Sequence, residues 1–305
     1  MRSIAGLFVL VALMIVGFSG CRLEQPINPV ESQRMPVVTQ LTSNNEVFEA
    51  NPIYSPDGAW ILFESDATGN RDLWLMPADG GQPQQLTTDR GFDSAPFWSP
   101  DGTKVVFESD RTGFKNIWML DINDLESGPV PVTVGPWNDA DPVWSPDGTR
   151  IAHESSREKY GGTDIWVSPV SGGPATRMTI TGDGIYHRTA DWSYDGARLV
   201  FESNRQDNQS ALYTMPAGGG SVTRITPVVG YEGHPAWSPD GTQIAYESSA
   251  DGVMEIFVIP AAGGQPFQVT AGGGYWPRWS PDGSSIVYCV FSDPEPNIWV
   301  VEVDW

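Results

Sequence analysis

Short apolar runs broken by Gly and Pro recur along most of the chain. Ile61-Leu62-Phe63-Glu64, Val105-Val106-Phe107-Glu108 and Ile151-Ala152-His153-Glu154 are examples. Such β-branched, alternating runs predict strands, and nothing long after the N-terminal segment carries a 3.6-residue period. The runs fall into a fixed order. A first strand ends in an aromatic residue: Tyr54, Trp98, Trp144, Trp192, Trp237 and Trp279. A Ser-Pro-Asp-Gly turn follows, with Tyr194 replacing Pro in the fourth copy. Pro presets the turn and Gly takes its positive φ. The alternating run comes next. A third strand then carries Trp74, Trp118, Trp166, Tyr213, Phe257 or Trp299. A Gly-rich turn leads to a fourth strand such as Gln85-Leu86-Thr87 or Arg224-Ile225-Thr226.

The turn acids Asp57, Asp101, Asp147, Asp195, Asp240 and Asp282 lie 42 to 48 residues apart. That is the period of a four-stranded propeller blade. The expected fold is all-β: a six-bladed β-propeller of four-stranded antiparallel blades. The last unit stops after its third strand, whereas Val38-Thr39-Gln40-Leu41-Thr42 matches a fourth strand and precedes the first unit. The N-terminal strand is therefore expected to close the ring and remove its open edge. The turn acids read as structural, because Asp at such a turn bonds nearby backbone N–H groups.

The first residues obey different rules. Met1-Arg2-Ser3 precedes an apolar stretch from Ile4 to Val16, then Gly17-Phe18-Ser19-Gly20 and Cys21. This reads as a secretory signal, too short in its apolar part for a comfortable membrane span. Phe18-Ser19-Gly20-Cys21 resembles the bacterial lipoprotein box, which implies cleavage before Cys21 and its acylation. The expected division is a signal peptide over 1–20, a lipidated Cys and tether over 21–35, and the propeller over 36–305. Cys289 is then the free thiol, and no disulfide framework exists.

The 305 residues carry a net charge of −21, so a nucleic-acid backbone is excluded as a partner. No His-Glu-x-x-His, Gly-x-Ser-x-Gly or phosphate-binding Gly loop occurs. Of the three His, His153 stands where other blades have Phe or Tyr and reads as a core substitute.

The six Trp-Ser-Pro-Asp-Gly repeats resemble the TolB-like β-propeller family over about residues 37–305. The family's namesake carries an additional N-terminal α/β domain, for which there is no room between Cys21 and Val38. The resemblance implies that loops from the fourth strand to the next first strand surround one mouth of a central channel. Loops between strands two and three share that face, and the Ser-Pro-Asp-Gly turns lie opposite.

Five residues before each first-strand aromatic stand Glu49, Asp93, Asp139, His187, Glu232 and Gly274, preceded in most blades by Phe48, Phe92, Trp137, Tyr186 and Tyr231. Three before it stand Asn51, Ala95, Asp141, Thr189, His234 and Trp276. The mouth is thus expected to be acidic and aromatic. Glu49, Asp93 and Asp139 repeat between blades and read as structural. Residues that break the repeat read as functional. The expected ligand- or partner-binding set is Tyr186, His187, Arg188, Tyr231, Glu232, His234, Tyr275, Trp276 and Arg278, with Trp137 and Asp139. A second ring, Glu64, Glu108, Glu154, Glu202 and Glu247, ends strand two, with Cys289 in the sixth place. Arg111, Arg157 and Arg205 follow their Glu by three residues and are expected to pair with it. Alternatively the ring holds a hard cation such as Ca2+, with Glu64, Glu247 and Glu49 as ligands.

The functional expectation is a lipid-anchored, non-enzymatic, monomeric platform that binds an envelope protein or peptide at the channel mouth. Arg22 after Cys21 lacks the Asp of an inner-membrane retention signal, favouring the outer membrane where two exist. A carbohydrate- or peptide-cleaving enzyme at the same mouth, with or without a bound cation, is the alternative.

Overall fold

The computed structural model describes residues 36–303 apart from 45, 158–160, 181, 183, 207–208, 228–229, 251 and 292–294. The signal peptide, Cys21 and the tether lie outside the described residues. Six antiparallel sheets of four strands form the six blades. The first blade is typical: Glu49–Tyr54, Trp60–Ser65, Asp72–Pro77 and Gln84–Gln85, paired in that order. Helical structure among the described residues is one 3-10 turn, Leu125–Ser127.

The hydrophobic cores lie between blades. One joins Val143, Ala152 and Ile165 of the third blade to Trp192, Leu199 and Phe201 of the fourth. This sandwiching changes the second strand from the expected alternation. Ile61, Leu62 and Phe63 are all fully buried, with Glu64 and Ser65 beside them, because both faces of the blade are covered.

Val38–Gln40 is the fourth strand of the last blade and pairs with Pro296–Glu302, Val38 opposite Val301 and Gln40 opposite Trp299. Leu41 N–H bonds Ile298 O at 2.9 Å, and Leu41 packs on the core that joins Ile61 and Phe63 to Val287 and Ile298. The first and last strands of the described residues thus share one blade.

Each turn is built as its residues dictate. In the first, Ser55 Oγ donates to Asp57 Oδ1 at 2.6 Å, and the same oxygen accepts Ala59 N–H at 3.1 Å. The other five turn acids repeat this and, like Asp57, stay below the usual carboxylate range, mainly through the Ser hydroxyl.

Candidate functional site

The first strands, Glu49–Tyr54, Asp93–Trp98, Asp139–Trp144, His187–Trp192, Glu232–Trp237 and Tyr275–Trp279, line the channel. Each is bulged: Ala50 faces Glu64 and Ile53 faces Leu62, so Asn51 and Pro52 together oppose Phe63. The bulge residues Asn51, Ala95, Asp141, Thr189, His234 and Trp276 all have φ between 46 and 52°. None is Gly, so each holds a left-handed backbone at a cost of about 1–2 kcal/mol. A repeated strain of this kind must be held from outside.

At three of the six bulges the carboxylate ring holds it. Glu64 accepts Ala95 N–H at 3.1 Å, Glu108 accepts Asp141 N–H at 3.4 Å, and Glu247 accepts Trp276 N–H at 2.9 Å. Each Glu thus ties its blade to the bulge of the next. In blade four, Glu202 instead accepts Tyr231 O–H at 3.0 Å and Thr189 O–H at 3.4 Å. In the last blade Cys289 is buried and donates to Glu49 O at 3.6 Å.

The arginines do not pair with the ring as expected. Arg111 reaches back to Asp93, with Nη2 2.9 and 2.8 Å from its two oxygens, and Arg157 reaches Asp139 at 2.8 Å. Their guanidinium groups lie over Trp118 and Trp166, both at 4.8 Å. Asp93 and Asp139 are wholly buried, which explains why each needs a cation. Trp137 belongs to the same brace, 5.2 Å beneath Arg157.

The metal expectation finds no donor cluster. Glu64 is spent on Ala95 N–H and Arg71, Glu247 on Trp276 N–H and His234, and Glu49 is buried. Burial lifts Glu49 above the usual range and, against the pull of Arg71, lifts Glu64 to about 7. Among the described residues no group of three or more His, Cys, Asp or Glu side chains stands where it would hold an ion.

The structure separates the residues that break the repeat. His187 is 1% exposed and packs edge-on against Phe201 at 5.5 Å, so it is a core residue and not a rim ligand. Burial lowers it to about 4 and leaves it neutral. Glu232 is equally buried and lifted to about 7 by desolvation. His153, as expected, is buried, with Nε2 3.0 Å from Ser168 Oγ. Arg278 sits inside the channel, its guanidinium 5.4 Å from the Phe97 ring and 3.5 Å from Pro235 O. Above it, the bulge residues enclose only about 30 Å³.

The remaining residues come together along blades four to six. Arg188 is exposed and lies 4.5 Å over the Tyr186 ring. Tyr231 is fixed by Glu202. His234 Nδ1 meets Glu247 Oε1 at 2.8 Å, and its ring is edge-on to Trp276 at 6.1 Å. Trp276 continues to Tyr275 at 5.9 Å and to Phe291 at 5.7 Å. Burial opposes the His234 charge, but Glu247, Asp141 and Glu202 outweigh it and bring the pKa to about 9. The result is one aromatic arc bearing two cations.

Phe291 is absent from the sequence expectation, although a signal existed. Its counterparts Asp66, Asp110, Ser156, Asn204 and Ser249 all cap the rim, accepting Phe48, Phe92, Asn138, Tyr186 and Tyr231 N–H. Phe291 breaks that polar position and is 46% exposed.

The TolB beta propeller domain model matches residues 24–132, 90–208 and 186–304. An uncharacterised protein of Agrobacterium fabrum is 30% identical over 112 residues, 37% of this chain and 37% of that protein. The match spans little more than a third of that curated relative's length. A TolB structure from Agrobacterium tumefaciens superposes with a TM-score of 0.65 at 24% identity, covering 73% of this chain and 81% of that one. An oligogalacturonate lyase in complex with manganese superposes with a TM-score of 0.61 at 16% identity, covering 88% and 93%. These structural likenesses concern the fold. With its repeats, ring closure and family match taken together, the chain belongs to the TolB β-propeller domain family.

Proposed function

We propose that this protein is a non-enzymatic binding platform of the bacterial envelope, held to a membrane through a lipidated Cys21. Its ligand face is the channel mouth, and its partner is an envelope protein or peptide. The observation that carries this reading is the arc from Tyr186 to Phe291. Aromatic rings and Arg are the residue types enriched among binding hot spots, and here Arg188, His234, Trp276 and Phe291 all depart from the repeat. Membership of the TolB propeller family and the signal-like start support an envelope location.

The lyase neighbour and the His234–Glu247 pair favour an enzyme as the second reading. Two facts weigh against it. A His held at about 9 is protonated at neutral pH and is a poor general base there. The channel at the bulges, about 30 Å³, has room for water and none for a sugar or peptide.

The test is affinity capture from solubilised membranes with wild-type protein and with a Trp276→Ala, His234→Ala double variant. The double variant should fold and lose the captured partner. Glu108→Ala, which frees the Asp141 bulge, should lower stability and keep the partner. The reverse pattern would move the functional surface to the carboxylate ring.

A further inference from the structure

The opposite face is not merely the closed end of the ring. The channel opens there into a funnel of about 600 Å³, lined by Trp98, Trp144, Trp192, Trp237 and Trp279 and rimmed by the Ser-Pro-Asp-Gly turns. Its floor is Arg278, with Asp191 beside it. Asp191 accepts Trp237 N–H at 2.7 Å, and Arg278 opposes the burial that raises it to about 6. The floor therefore pairs one cation with one acid, while the rim carries six exposed turn carboxylates. Those carboxylates spend their hydrogen-bonding capacity within their own turns but keep their charge.

The rim is not symmetric, and the reason lies in the first residue of each second strand. These residues are Trp60, Lys104, Arg150, Arg198, Gln243 and Ser285. Arg150 places its guanidinium 4.6 Å over Trp192 of the next blade while its Nη2 bonds Asp147 at 3.3 Å. Arg198 likewise places its guanidinium over Trp237, at 4.8 Å. At these two blade junctions the chain supplies its own cation to an aromatic face beside turn acids. At the junction of blades six and one it does not. Ser285 is the shortest of the six side chains, and Tyr54 replaces the Trp found elsewhere, 3.4 Å from Ser285 Oγ. Ser285 and Tyr54, each smaller than most of its counterparts, leave a groove of about 310 Å³ lined by Asp57, Asp282, Tyr54 and Pro281. The groove shares Tyr54, Ser280 and Pro281 with the funnel, so the two adjoin.

We propose that this face is a second binding surface, which takes a peptide segment carrying an Arg or Lys next to an apolar residue. The cationic side chain lies over Tyr54 between Asp57 and Asp282, and the apolar neighbour enters the tryptophan-lined funnel. The partner's cation completes from outside the arrangement that Arg150 and Arg198 make from within. Charge complementarity supports this occupant: an acidic peptide would meet the anionic rim, and a wholly apolar one would leave Asp57 and Asp282 unmatched. A guanidinium suits the site best, because it stacks on an aromatic face while its edge meets carboxylates.

Acetyl-Leu-Arg-Leu-amide is the probe, with acetyl-Leu-Gln-Leu-amide as its neutral counterpart, and binding is followed by calorimetry and by tryptophan fluorescence. The Arg peptide should bind saturably and at least tenfold more tightly than the Gln peptide. Ser285→Arg supplies the missing cation in cis and should weaken Arg-peptide binding at least tenfold without lowering the melting temperature. Tyr54→Trp, which narrows the groove, should act in the same direction and carries the test alone if Ser285→Arg does not fold. Trp276→Ala, on the opposite mouth, should leave binding unchanged. The proposal is overturned by absence of saturable binding, by equal affinity for the two peptides, or by unchanged affinity in folded Ser285→Arg and Tyr54→Trp.

Discussion

His234 Nδ1 lies 2.8 Å from one oxygen of Glu247, and the other oxygen of that carboxylate accepts Trp276 N–H at 2.9 Å. One side chain therefore fixes both the charge and the backbone strain of the mouth arc. His234 is raised from its ordinary 6.5 to about 9. For a raised group, the stabilisation is complete below the unfolded value and is lost as pH climbs through the folded one. The ring should thus lose stability between about pH 6.5 and 9, by an amount on the order of 3 kcal/mol. Thermal melts across that range check it, with His234→Gln as the variant whose pH dependence should be flatter. Glu247→Gln should bring the imidazole titration, read by NMR, down by more than one pH unit. An unchanged titration would remove Glu247 as the cause.

Arg111→Met tests the brace of blade two. It leaves Asp93, wholly buried, without its cation. Breaking a buried pair from one side costs about 3–5 kcal/mol, far more than losing a surface pair. Lys104→Met, at the exposed pair with Asp121 3.2 Å away, should cost under about 1 kcal/mol. Chemical denaturation of the two variants gives the comparison. Equal losses would show that the Asp93 pair is not a structural brace.

Deleting residues 37–42 tests ring closure. The deletion bares the strand Pro296–Glu302 and removes Leu41 from the junction of blades six and one. Burial of a Leu is worth about 1.5–3 kcal/mol when complete, and the lost ladder adds to it. A truncated protein that melts at the wild-type temperature would contradict closure by this strand.

These contrasts show what the sequence makes legible. The turns and blade number were readable because Ser-Pro-Asp-Gly chemistry is local, acting within about five residues. The closing strand was readable because its pattern was missing at one end and present at the other. The pairing of Arg111 was not. Its offset of three from Glu108 suggested a local partner, yet the guanidinium runs back across the blade to Asp93, 18 residues earlier in the chain. His187 broke the repeat and so looked functional, but it is buried against Phe201, where a neutral imidazole fills the place of an acid. The Ser285 groove was hidden for the opposite reason. It arises from two residues, a Tyr in place of Trp and a Ser in place of longer side chains, 231 positions apart and brought together only by closure.

Cys21→Ser tests the anchor. If the lipoprotein box is used, the variant should move from the membrane to the soluble fraction with the propeller's melting temperature unchanged. Mass analysis of the mature wild-type N-terminus should find an acylated Cys21. An unmodified N-terminus, or cleavage elsewhere, would remove the anchor from the proposed function and leave the binding face untouched.

The left-handed bulges give the last prediction, and here two effects must be weighed. Ala95 has φ of 48° and a half-buried methyl group, so its side chain contributes little packing. Replacing it by Gly removes a left-handed penalty of about 1–2 kcal/mol. Gly also increases the entropy of the unfolded chain, at a cost of about 0.5–1 kcal/mol. The first effect is the larger, so Ala95→Gly should be neutral or stabilising by up to about 1.5 kcal/mol. The bond from Ala95 N–H to Glu64 survives the change, because it uses only the backbone. Ala95→Val should go the other way, since a β-branched side chain tolerates this φ least. The denaturation midpoints of the pair decide it. If Ala95→Gly loses more than about 1 kcal/mol, as Gly does in an ordinary strand, the six bulges are not strained and the Glu ring has no strain to restrain.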